Sequence, residues 1–110
     1  NAIVSMRAIR QPASDSDVPG PVVDFMMETV NHAMFAMTGR HAEQVQGTTL
    51  LTSFPGNLES GFFDVYVRVV ETGRSERFTQ YYQDTNGLRA WYEVQAVRQG
   101  ADTVVLTFQD

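Results

Sequence analysis

The stretch DFMMETVNHAMFAMTGRHAEQVQG, residues 24–47, carries the change of period on which the fold turns. Over residues 24–30, Phe, Met, Thr and Val alternate with polar residues in the manner of a half-buried strand. At Asn31 the period changes. Its side-chain amide can accept a backbone N–H one turn ahead, which makes it a good helix N-cap, and Met34, Phe35 and Met37 follow at helical spacing. Gly39 ends that turn with the left-handed conformation a helix C-terminus commonly needs, and the pattern repeats when residues 41–46 close on Gly47. A strand therefore runs into short helical turns, and the rest of the chain is expected to pack around that corner.

Upstream, residues 3–10 (IVSMRAIR) alternate well enough to form a first strand. Residues 11–21 hold Pro12, Pro19, Gly20 and Pro21 without periodicity and read as an exposed connection. The Asp15-Ser16-Asp17 cluster within it lacks the Gly and distal Glu of a calcium loop and is expected to be a solvated turn. Residues 22–30 then form a second strand, antiparallel to the first.

Downstream, residues 48–56 supply Leu50, Leu51 and Phe54 as apolar anchors for one more turn, broken by Pro55-Gly56. Ser60 is the expected N-cap of the longest helix, residues 61–72, where Phe62, Val65, Tyr66, Val69 and Val70 fall on one face. Gly73 stops it, and Arg68 and Arg74 are expected near the negative end of its dipole. Three strands follow at residues 77–83, 89–99 and 103–109, joined by a tight Asn86-Gly87 hairpin and a turn at Gly100. In the last strand Val104, Leu106 and Phe108 share the buried side, and Thr103, Thr107 and Gln109 the other. The expected fold is α+β: an antiparallel sheet of about five strands, with short helices inserted between the second and third and packed on one face.

A chain of 110 residues with 43% hydrophobic content fits a single domain spanning residues 1–110. A net charge of −5, with eight scattered arginines and no lysine, argues against a nucleic-acid partner, Schiff-base chemistry and a Walker-type phosphate loop. Without cysteine there is no disulfide framework and no thiolate metal site. No apolar run approaches the roughly 20 residues of a membrane span, so a soluble domain without membrane contact is expected. The chain lacks an initiating Met, and is expected to be a domain cut from a longer protein.

No residue pattern supplies catalytic machinery. His32 and His41 have no partner ligands at metal-binding spacing, no serine sits in a nucleophile elbow, and Asp24 and Glu28 read as a solvent-facing edge. Aromatic and methionine residues suggest a pocket instead: Met27, Met34, Phe35, Phe54, Phe62, Tyr66, Tyr82 and Tyr92 come from elements that should surround one space, with Asn31 and Thr107 as polar contributors. The same residues would equally make a filled core. Trp91 and Val97 share a parity with Glu93 and Gln95 and should project outward, where exposed apolar groups mark a partner surface.

The run VVDFMMETVNHAMFAMTGRHAEQVQGTTLLTSFPG resembles the signature of PAS domains, the small sensory modules of bacterial signalling proteins. FFDVYVRVVETGRSERFTQYY is similar to that family's long helix and following strand, and RAWYEVQAVRQGADTVVLTFQD to its last two strands, so the resemblance spans nearly the whole chain. It implies that the first strand lies between the second and the last. It implies a cytoplasmic signal-transduction protein as parent, a sensor histidine kinase first and a diguanylate cyclase or transcriptional regulator next, with an output domain in the same chain. No cofactor is implied: haem-binding relatives use a His on the long helix, and flavin- and coumaroyl-binding relatives a Cys, and this chain has neither, leaving an unknown small molecule as the ligand. Such modules dimerise through the outer sheet face, which here points to Ile3, Ile9, Trp91 and Val97. In the family an Asp-Ile-Thr-like triplet leads to the output helix, which makes Asp110 the expected transmission residue. Two alternatives stand beside this reading: a ligand-free dimerisation module, and a small cone-fold α+β enzyme, which an N-terminal helix over residues 2–10 would favour.

Overall fold

The computed structural model describes residues 1–12 and 18–109; the Asp15-Ser16-Asp17 cluster and Asp110 lie outside the described residues. The two alternating stretches form antiparallel strands β1 (Ala2–Arg10) and β2 (Val22–Val30). A strand over residues 2–10 leaves no place for the N-terminal helix of a cone-fold enzyme. The pairing shifts register between Ser5 and Met6, so that Ser5 faces Thr29 but Met6 faces Met27. Glu28 is the extra residue, and the bulge restores parity: Phe25 and Met27 point inward, and so does Val30 beyond it.

Four single-turn helices follow β2: α1 (Met34–Thr38), α2 (Ala42–Val45), α3 (Leu50–Ser53) and α4 (Gly56–Glu59). The long helix α5 (Phe62–Thr72) and the strands β3 (Glu76–Gln83), β4 (Arg89–Gln99) and β5 (Thr103–Gln109) complete the chain. The sheet order is β2-β1-β5-β4-β3, with β1 between β2 and β5 as expected. Its inner face buries Val4, Met6, Phe25, Val94, Val104 and Leu106 against the Phe62, Val65, Tyr66, Val69 and Val70 stripe of α5. Phe63, one step off that stripe, is also buried and meets Phe25 edge to face at 5.7 Å.

Local expectations at four points give way to longer-range contacts. Asn31 is not a helix cap; α1 begins after Ala33. Instead the Asn31 Oδ1 accepts the Ile3 N–H (3.0 Å) and Nδ2 donates to the Asn1 carbonyl (3.0 Å), extending the β1–β2 ladder beyond its last residue pair. Ser60 is not the cap of α5 either, because Gly61, at φ 84°, turns the chain into that helix. The Ser60 hydroxyl faces the sheet edge and accepts the Gln83 N–H (3.3 Å). At the other end of α5, Arg98 from β4 donates to the Val70 carbonyl (3.1 Å), while Arg68 reaches sideways to grip both oxygens of Glu76. The β3–β4 turn is longer than a two-residue hairpin: Asp84 Oδ1 accepts the N–H of Asn86 (2.9 Å) and of Leu88 (3.2 Å), and only Gly87 has positive φ.

The β2 edge is partly covered. Met27 donates to the Thr48 carbonyl (2.9 Å) and accepts the Gly47 N–H (2.8 Å), so the link between α2 and α3 runs along the strand as a short extra rung.

Candidate functional site

Because α5 packs on β3, β4 and β5, α1 to α3 on β1 and β2, and α4 on β3 beside α5, a space remains between the helices and the sheet. It is an apolar cavity of about 50 Å³. Met27, Met34, Phe54 and Phe62 line it, and so do the rings of Tyr66, Tyr82 and Tyr92. Those seven of the expected pocket residues converge. Three do not. Phe35 is on the outer side of α1, half exposed and stacked on His41 with ring centres 4.2 Å apart. Thr107 points to the opposite face of the sheet, since its neighbours Leu106 and Phe108 take the inward parity. Asn31 is held at the strand end by the two ladder bonds.

The lining also includes Met37, Leu50, Leu106 and Phe108. Each was legible in the sequence: Met37 at helical spacing from Met34, Leu50 as an apolar anchor, and Leu106 and Phe108 on the buried side of the last strand. Asn57 was not, because it sits on α4, where Pro55-Gly56 suggested only a break.

Most polar groups on the wall are already engaged. The Tyr82 hydroxyl donates to Asp84 Oδ2 (2.6 Å) and accepts the Gly56 N–H (3.1 Å), tying α4 to the β3–β4 turn. Tyr92 donates to the Met37 carbonyl (3.1 Å), tying α1 to β4. Thr38 donates to the Met34 carbonyl (2.8 Å) and Asn57 Nδ2 to the Phe54 carbonyl (2.9 Å). Burial, and after it the bond to Asp84, holds the Tyr82 hydroxyl pKa far above the ordinary tyrosine value; for Tyr66 burial does the same, with a smaller contribution from Tyr82. Both stay protonated at neutral pH.

Thr38, Phe54 and Leu88 line the cavity and also border a surface cleft containing Arg40, Asp84 and Arg89. The Arg40 guanidinium lies over the Phe54 ring at 5.3 Å and donates to the Ser53 carbonyl, fixing one side of that cleft. Among the described residues no three His, Asp or Glu side chains group at metal-binding distance, and no helix is long and apolar enough to cross a membrane.

No protein-family profile and no curated protein sequence matches the chain. Solved structures do. A domain of the sensory box sensor histidine kinase/response regulator from Geobacter sulfurreducens matches 99% of this chain and 82% of its own length, with a TM-score of 0.67 at 15% identity. The PAS domain of a protein from Colwellia psychrerythraea matches 99% of this chain and 84% of its own, with a TM-score of 0.65 at 16% identity. The chain has the PAS fold.

On the outer sheet face of this PAS fold, Trp91 is 64% exposed, Ile3 47% and Val97 40%. Ile9, on the same face by parity, is half-buried. The strand register separates them: Ile3 lies across from Thr107, and Val97 from Val105, while Glu93 and Gln95 intervene between Val97 and Trp91 along β4. Trp91 has a companion in Tyr81 on β3, ring centres 5.4 Å apart.

Proposed function

We propose that this PAS-fold domain senses a small molecule and relays its presence to an output domain in the same chain. The observation that carries the reading is the composition of the cavity wall, which includes Leu106 and Phe108 of the last strand. An occupant touches the last strand of the sheet, within four residues of Asp110, the proposed transmission residue. An occupant that binds one arrangement of β5 more tightly than another shifts the population by that differential affinity. The parent is proposed to be a cytoplasmic sensor histidine kinase, a reading supported by the resemblance and by the likeness to a domain of such a protein. The domain itself is read as non-catalytic.

A screen of small apolar compounds by thermal shift tests the cavity. A binder is expected to raise Tm and slow amide exchange in β5 and α5. A screen without any binder, together with a native mass equal to the bare chain, would overturn the sensing reading.

A second reading, a dimerisation module of a diguanylate cyclase or transcriptional regulator whose core is simply filled, is favoured by the exposed Trp91 and Tyr81 pair. The homodimer contact would use Ile3, Ile9, Trp91 and Val97. Light scattering across a concentration series is expected to show dimers, and Trp91→Ala to weaken their dissociation constant at least about 30-fold, as loss of a central interface tryptophan does. A parent domain that stays monomeric at high concentration removes this contact.

A further inference from the structure

Tyr66 is 1% exposed, sits in the middle of α5 and lines the cavity. Its ring is fixed by Phe25, edge to face at 6.3 Å, and by Phe62 and Phe78. Its hydroxyl makes no hydrogen bond among the described residues, although every fully enclosed polar side-chain atom among them has a partner. The Tyr66 hydroxyl therefore borders open space, and the space that Tyr66 borders is the cavity. Of the other hydroxyls on the wall, Tyr82, Tyr92 and Thr38 donate to groups of the protein itself. The unused polar atoms are the Tyr66 hydroxyl, a donor, and Asn57 Oδ1, an acceptor.

We infer that the cavity takes a small uncharged molecule with an apolar body and one hydrogen-bond acceptor, to which the Tyr66 hydroxyl donates a hydrogen bond. This rests on the reading of the cavity as a binding site. A buried donor left without an acceptor costs free energy that a matching ligand recovers and a hydrocarbon of the same size does not. Charge is selected against, because no Arg or His side chain is among the lining residues and an ion would lose its hydration without a counter-charge. Size is bounded as well: about 50 Å³ is a third of the roughly 150 Å³ that holds benzene, so the site as built suits a molecule of a few heavy atoms. Met27, Met34 and Met37 in the wall allow some enlargement, since methionine side chains repack at low cost.

Methyl NMR titrations of the domain and of Tyr66→Phe separate the parts of this inference, using three probes: xenon, which is apolar; acetone, which is a neutral acceptor; and acetate, which has the shape of acetone but a charge. Xenon is expected to shift the methyl signals of Met34, Leu50 and Leu106 in both proteins. Acetone is expected to bind the parent in the millimolar range and Tyr66→Phe about fivefold or more weakly, and acetate to bind neither. Without ligand, Tyr66→Phe is expected to melt at the same temperature as the parent or higher, because it removes an unpaired buried hydroxyl. If xenon enters but acetone binds both proteins equally, the Tyr66 assignment is overturned while the cavity stands. Acetate binding as tightly as acetone overturns the requirement for an uncharged ligand. A Tyr66→Phe variant that melts several degrees lower shows a paired hydroxyl and overturns the assignment. If no probe enters, the cavity reading itself fails.

Discussion

Gly56→Ala is expected to lower the stability of the domain by about 3 kcal/mol, at the upper end of overpacking costs, and Tm by more than about 10 °C. The reason is distance and not conformational freedom, since Gly56 is absent from the positions of positive φ. A Cβ at this position would lie 2.1 Å from the Gln83 carbonyl oxygen and 2.9 Å from Asp84 Cβ. Neither neighbour is the free end of a flexible side chain: one is backbone of β3, the other begins the turn that Asp84 organises. Relief requires α4 to lift from the sheet, which stretches the Gly56 N–H bond to the Tyr82 hydroxyl and moves Asn57 and Phe54 on the cavity wall. The variant should therefore lose ligand affinity as well as stability. Gly87→Ala provides the contrast: it has φ 94° but open space around it, so only the left-handed strain of roughly 1–2 kcal/mol applies. Equal melting of the two variants in a thermal denaturation series would show that α4 does not press on β3 as described.

Gly56 also marks where sequence reasoning stops. A Pro-Gly pair reads as a break, and nothing local reveals that the glycine is needed because a strand backbone passes 27 residues later in the chain. Asn31 fails for the same reason. An amide after a strand and before a turn serves a helix cap or a strand ladder equally well, and the partner that decides, the Ile3 N–H, is 28 positions away. Features with a local cause were legible: the period-two strands, the apolar stripe of α5, the left-handed glycines at 39 and 73, and the side of the sheet that most strand residues take, the bulge at Glu28 and the outward Thr107 apart. From these and the resemblance the strand order followed. The site was legible to the same extent. Residues on long elements, such as Tyr66, Tyr82 and Tyr92, could be assigned inward by parity. Phe35 could not, because a helix of five residues is too short for periodicity to say which side faces the core. Whether a wall residue has a free hydroxyl is a property of the packed structure, and no spacing in the chain separates Tyr66 from Tyr82.

Phe25→Ala should be the most damaging core truncation of the domain, at about 3–5 kcal/mol. Phe25 is completely buried in β2, the strand at the sheet margin, and meets Phe63 and Tyr66 edge to face at 5.7 and 6.3 Å. Its cross-strand neighbour on β1 is Ala8, too small to fill the space left behind. The α5 side offers no easy collapse, because Tyr66 is held on its other side by Phe62 and Phe78. A loss of that size is a large part of the roughly 5–15 kcal/mol that holds a small domain folded. Urea denaturation measures it: the midpoint should fall with the slope unchanged if the native state keeps its compactness. Phe25 is not part of the cavity wall, but Tyr66 is common to both neighbourhoods. The truncation is therefore also expected to loosen the Tyr66 ring and weaken acetone binding, while leaving xenon uptake in place. A cost below about 1 kcal/mol would mean that α5 does not pack on β2 through this aromatic group. In that case the fixed orientation of the Tyr66 hydroxyl, and the ligand preference built on it, would lose their support together.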